Sequence, residues 1–148
     1  MPVTVTNAQA LEALEDIRSF FARDAQLPQA ERVEVKPAYW LNRTLQVLQK
    51  HVADNLEPVR LKLLDKYGQK DAQGKLEETA EGGDGRKRIK FATPEDGQAF
   101  VDDYNKILLS RAEGEGFTMP FSLRLSTFVG VRGLGAVTLL MEDDEAKA

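Results

Sequence analysis

Leu41, Leu45, Leu48, Val52, Leu56, Val59 and Leu63 succeed one another at steps of 4, 3, 4, 4, 3 and 4. That spacing keeps one apolar stripe on one face of a helix. Pro37 suits its first turn, where a missing N–H has no partner to lose. Gly68 suits the residue just past its end, in a left-handed conformation. The pattern predicts a helix over 37–68, about 30 residues and roughly 45 Å long at 1.5 Å per residue. Pro58 interrupts it, removing a backbone donor at about 3 kcal/mol in a helix interior. The stripe keeps its phase across Pro58, which favours one helix kinked near 55–58 over two helices meeting there.

Two more amphipathic helices flank the long one. Ala10, Leu11, Leu14, Ile17, Phe20 and Phe21 define an apolar face over 8–23, with Thr6 or Asn7 as its cap. Thr93, Pro94, Glu95 and Asp96 open another helix, running to about residue 112 over Ala99, Phe100, Tyr104, Ile107 and Leu108. Alternation at Val3 and Val5 predicts a short strand, and Val33 and Val35 suggest a short strand or extended arm. Leu123 and Leu125 mark one face of a strand-prone run ended by Gly130, Gly133 and Gly135. Residues 136–141 read as a final strand or one short helix, and 142–148 as a frayed acidic tail.

Between the second and third helices the composition changes. Residues 69–91 read as a β-hairpin, with Glu77, Glu78 and Glu81 on one arm and Arg86, Lys87, Arg88 and Lys90 on the other. Facing arms of opposite charge attract by about 0.2–1 kcal/mol per pair. The expected fold class is α+β in a single domain, 1–148. Three amphipathic helices pack together, a charged β-hairpin projects, and short terminal strands complete the fold.

Composition narrows the chemistry. The chain has 148 residues, 42% hydrophobic and 30% charged, as in a soluble globular protein. It has no cysteine, which excludes disulfides, thiolate metal sites and a cysteine nucleophile. A net charge of −4 argues against a whole-surface nucleic-acid binder. No apolar run suggests a membrane span, and no signal peptide is evident at the N-terminus. His51 is the one histidine, without the partners that nucleophilic catalysis requires, and a structural or exposed role is expected for it. The turn at 130–135 comes after a strand-prone run but lacks the strand–helix–strand unit of a dinucleotide site. No catalytic, cofactor or metal residues are assigned, and no enzyme activity is expected. The candidate interaction residues are Trp40, the only tryptophan, and the basic arm Arg86, Lys87, Arg88 and Lys90. For Trp40 the competing role is closure of one end of the core.

The order of parts also resembles a family. A helix containing Pro37-Ala38-Tyr39 ends in Lys62-Leu63-Leu64-Asp65-Lys66-Tyr67-Gly68; after it come an acidic turn at 70–75, a charged hairpin and a helix with Phe100 and Leu108-Leu109. This resembles small proteins of unknown function encoded by tailed bacteriophages and prophages, over roughly residues 8–125. The extended arm at 24–36 and the glycine-rich C-terminal segment depart from that pattern. The resemblance implies context, not chemistry: an accessory protein in the host cytoplasm or the virion, working in particle assembly or as a minor structural component. A protein partner or self-association is expected. The alternative is a small regulator binding a host protein or nucleic acid through the basic arm.

Overall fold

The computed structural model describes residues 3–80, 87–111 and 114–142, and its fold class is α+β. The elements are β1 (Thr4–Val5), α1 (Asn7–Asp24), a 3₁₀ turn (Gln29–Glu31), α2 (Val35–His51), a π-helical turn (Val52–Leu56) and α3 (Glu57–Tyr67). Then come β2 (Glu78–Ala80), β3 (Lys87–Ile89), α4 (Pro94–Leu109), β4 (Phe117–Thr118) and β5 (Leu123–Arg124). Two 3₁₀ helices, Leu125–Phe128 and Gly135–Leu140, precede β6 (Met141–Glu142). Contacts group the chain into two compact units, Met1–Ala53 with Leu108–Ala148, and Asp54–Ile107.

In the first unit α1 starts where its sequence says it should. Thr6 accepts the Gln9 N–H while the Gln9 side chain accepts the Thr6 N–H, closing a capping box. Ala10, Ala13, Leu14, Ile17 and Phe20 are its buried apolar face. That face packs against α2 and the Gly135–Leu140 turn. α2 contributes Leu41 and Leu48, and the C-terminal segment adds Met119, Leu123, Val137 and Leu140, all at most 1% exposed. Each such side chain contributes about 1.5–3 kcal/mol by leaving water. Thr44 is buried among them and donates its hydroxyl to the Trp40 carbonyl at 2.8 Å. β1 pairs antiparallel with β4, and β5 pairs parallel with β6.

Several expectations change here. Val33 and Val35 form no strand: Arg32 and Glu34 are extended, and Val35 already begins α2. Pro37 therefore sits at the third helical position, where the first intrahelical bond still belongs to Ala38, donating to Glu34. The strand-prone run at 122–131 yields only the two residues of β5. Gly130, Gly133 and Gly135 all have positive φ and turn the chain back toward α1. At Gly135 a Cβ would collide with the Asp16 carboxylate, which accepts the Ala136 N–H at 2.7 Å. Residues 135–140 resolve the strand-or-helix ambiguity as a 3₁₀ helix.

Residues 35–67 are helical throughout, with the π turn where the kink was expected. Leu56, the residue before α3, stays in the right-handed helical region. Pro58 falls in the first turn of α3, so the missing donor is absorbed by a register change instead of a break. A wide turn also advances the phase of the helix after it. The buried leucine of α3 is Leu64, one residue beyond the expected Leu63.

In the second unit the hairpin forms in the antiparallel register Glu78–Ile89, Thr79–Arg88 and Ala80–Lys87. Its base is closed by a third segment. Gln69 N–H donates to Lys90 O, Lys90 N–H to Glu77 O, and Glu77 N–H to Gln69 O, at 2.8–2.9 Å. Gly68 makes this closure possible, though not as predicted. Its φ is −70° and ψ 147°, ordinary extended backbone. What requires glycine is space: a Cβ would lie 2.6 Å from the Leu64 carbonyl and 2.6 Å from Leu76 Cδ2. α4 begins as expected, with the Thr93 hydroxyl accepting the Asp96 N–H. Of the expected frayed tail at 142–148, Glu142 is instead paired in β6, and 143–148 lie outside the described residues.

Gly68→Ala is therefore expected to destabilise the 54–107 unit by about 1–3 kcal/mol, a typical cost of overpacking. Gly97→Ala, whose Cβ would meet Phe91 at an ordinary 3.4 Å inside α4, should be neutral or stabilising by up to about 1 kcal/mol. Denaturant midpoints of the two variants test this; equal midpoints would refute the steric account.

Candidate protein-interaction site

α2 places Tyr39, Trp40 and Arg43 within one turn of each other, and the chain before β5 brings Phe121 beside them. Trp40 and Phe121 pack partly buried against the core, with centroids 5.6 Å apart. Tyr39 stands edge-on to Trp40 at 5.4 Å and is 54% exposed. The Arg43 guanidinium lies over all three rings, 4.6 Å from Phe121, 5.3 Å from Trp40 and 6.0 Å from Tyr39. Attraction between the cation and each ring face holds it there, at about 0.5–1 kcal/mol for exposed pairs. Arg43 is exposed, and its N–H groups have no acceptor among the described residues. The arrangement is an aromatic base carrying an exposed guanidinium.

Trp40 thus packs against the core, as the closing role requires, with part of its ring still exposed. Arg43 and Phe121 were not anticipated. The four-residue spacing of Tyr39 and Arg43 placed them on one helix face. Nothing local signalled Phe121, which arrives from 81 positions beyond Trp40 in the chain.

Arg86 lies outside the described residues. Lys87 and Arg88 are in β3, opposite Ala80 and Thr79. Lys90 faces Glu77, with Nζ 3.8 Å from the carboxylate, a half-exposed cross-strand pair of the kind the opposed charges predicted.

Other polar contacts read as structural. His51 is half-buried, its Nε2 2.7 Å from Asn7 Oδ1 and its ring against Phe117. The Asn7 amide donates to Glu115 O at 2.8 Å, so its carbonyl is left to accept from Nε2. In the second unit Tyr67 donates to Asp103 at 2.6 Å. A hydrogen bond from Arg60 holds Glu57 below the usual carboxylate range, against the opposing effect of burial. Burial raises the Tyr104 phenol. Among the described residues no three His, Asp or Glu side chains converge as a metal site, and no helix is long and apolar enough to cross a membrane.

Comparison with protein-family models, with curated proteins and with solved structures finds no match to this chain.

Phe121→Ala removes the ring nearest Arg43 and one wall of Trp40. It should destabilise the first unit by about 1–2 kcal/mol and shift tryptophan emission to longer wavelength. Because Trp40 is the only tryptophan, the emission reports this cluster alone. Unchanged emission would mean that Phe121 does not cover it.

Proposed function

We propose that the chain is a non-enzymatic accessory protein that works by protein–protein contact through the Trp40 surface. The observation that carries this reading is the Tyr39–Trp40–Arg43–Phe121 cluster. Tryptophan, tyrosine and arginine are the residues enriched at interface hot spots. Here they share one patch, pre-ordered by stacking and anchored in the core, so that little side-chain freedom remains to be lost on binding. The resemblance to small tailed-phage proteins supplies the context: a host-cell or virion protein acting in particle assembly or as a minor structural component. The basic hairpin arm remains the alternative contact, for a host protein or nucleic acid.

The test is recovery of partners with the tagged protein from its native source, compared across variants. Trp40→Ala should reduce the recovered partner at least about tenfold, as expected for a hot spot costing about 1.4 kcal/mol or more. Reversing the charge of Arg86, Lys87, Arg88 and Lys90 should leave recovery unchanged. The opposite pattern would move the contact to the hairpin, and loss of recovered material in high salt would point to nucleic acid.

A further inference from the structure

We infer that the Trp40 surface is a docking site for an acidic protein segment, an inference that rests on the contact reading above and names the chemistry of its partner. The argument begins with a second stripe on α2. Lys36, Trp40, Arg43, Val47 and Lys50 succeed one another at steps of 4, 3, 4 and 3. They lie one residue away from the buried stripe of Pro37, Leu41, Thr44 and Leu48. The cations are exposed, while Trp40 and Val47 are half-buried against the core. Lys36 and Arg43 therefore place solvent-facing positive charge on either side of the apolar seat at Trp40.

Charge is segregated around it. The chain has 24 acidic residues, yet none falls within 35–53 or 116–141, the two stretches that meet at Trp40 and Phe121. These stretches carry Lys36, Arg43, Lys50, Arg124 and Arg132, of which Arg124 lies beside Glu142, its partner in the β5–β6 pair, whose carboxylate also accepts from Ser122. Neither Lys36 nor Arg43 has a carboxylate partner among the described residues. The cleft of about 670 Å³ at the start of α2 is more balanced, with Asp24, Glu31 and Glu34 beside Arg32, Lys36 and Arg132. Lys36 belongs both to that cleft and to the stripe, and Arg43 lies one heptad further along α2, outside the cleft lining. A surface that is positive on a chain of net charge −4 selects anions locally while the whole molecule repels extended polyanions.

Spacing favours carboxylates on a peptide. Successive cations of the stripe are about 10.5 Å apart along the helix. Glutamates seven residues apart on a partner helix match that repeat, and the partner's apolar residues then meet Trp40 and Val47. Phosphates are spaced much more closely along a nucleic acid strand. The Arg43 guanidinium, fixed on its rings, presents the planar fork that receives a carboxylate through two N–H groups.

The test uses Trp40 fluorescence as its readout. The probe is a synthetic helical peptide of about 20 residues, with glutamates seven apart beside a leucine stripe and no tryptophan. A twin has glutamine at each glutamate, and a short oligothymidylate is the third ligand. The glutamate peptide should bind at least about tenfold tighter than its twin, and the preference should fade as salt is raised from about 0.05 to 0.3 M. Arg43→Gln should lose most of the preference. Lys36→Gln, which leaves the rings untouched, should lose part of it even if the Arg43 variant is misfolded by circular dichroism. Equal binding of the twin, no binding of either peptide, or tighter binding of oligothymidylate would each overturn the inference. Trp40-dependent partner recovery alongside any of these results would leave the contact reading standing and remove only the acidic partner.

Discussion

The first unit depends on close approach to α1. Ala10 and Ala13 are fully buried on the face that meets α2 and the Gly135–Leu140 turn. A methyl side chain lets a neighbouring backbone come nearer than leucine would, and the surrounding larger residues fill the remaining space at crystal-like density. The Asp16 carboxylate on the same helix takes the Ala136 N–H, which ties the turn to α1 by polar as well as apolar contact. With α2 and the C-terminal segment both held on α1, Phe121 is delivered to Trp40. The surface cluster is thus a consequence of core packing, not an ornament added to it.

The same packing explains why Arg43 is left open. Several other arginines find nearby acceptors: Arg60 has Glu57 at 2.6 Å, Arg23 the Gly133 carbonyl, and Arg32 the carbonyls of Leu27 and Ala25. Arg43 has aromatic faces instead. Ring contact attracts the cation without supplying an oxygen or nitrogen acceptor for its N–H groups. An ion pair in that position would have fixed the group equally well and closed it to anything else.

Much of this was legible in the sequence. Helices with strong 3.6-residue periodicity and explicit caps appeared where expected, as at Thr6 and Thr93. The pairing of the charged hairpin was also foreseen. The misread positions depended on distant partners. Gly68 looked like a left-handed cap, but its constraint is space, set by the Leu64 carbonyl one turn back and by Leu76 and Ile89, which only the folded sheet brings near. Leu63 keeps step with the stripe in the sequence, while the π turn before Pro58 moves burial to Leu64. Val33 and Val35 alternate like a strand, yet with no neighbouring strand to pair with, Val35 enters the helix. The 122–131 run has strand propensity but is broken into 3₁₀ turns, since pairing partners exist for only two of its residues. For the site, Trp40 was visible by its type alone, and Phe121 by nothing local.

That asymmetry bears on which surface carries function. A hairpin with facing acidic and basic arms satisfies part of its own charge, as Lys90 does with Glu77. Opposed charges of this kind specify strand pairing before they specify a ligand. On α2, Lys36 and Arg43 have no carboxylate partner among the described residues, and the helix itself holds no acid. Lys36 and Arg43, one helical heptad apart, gain no ion pair from folding; their mutual repulsion is weak at about 10 Å in screened water but not favourable. What holds Arg43 in place is contact with its rings, which leaves its charge uncompensated by any carboxylate among the described residues.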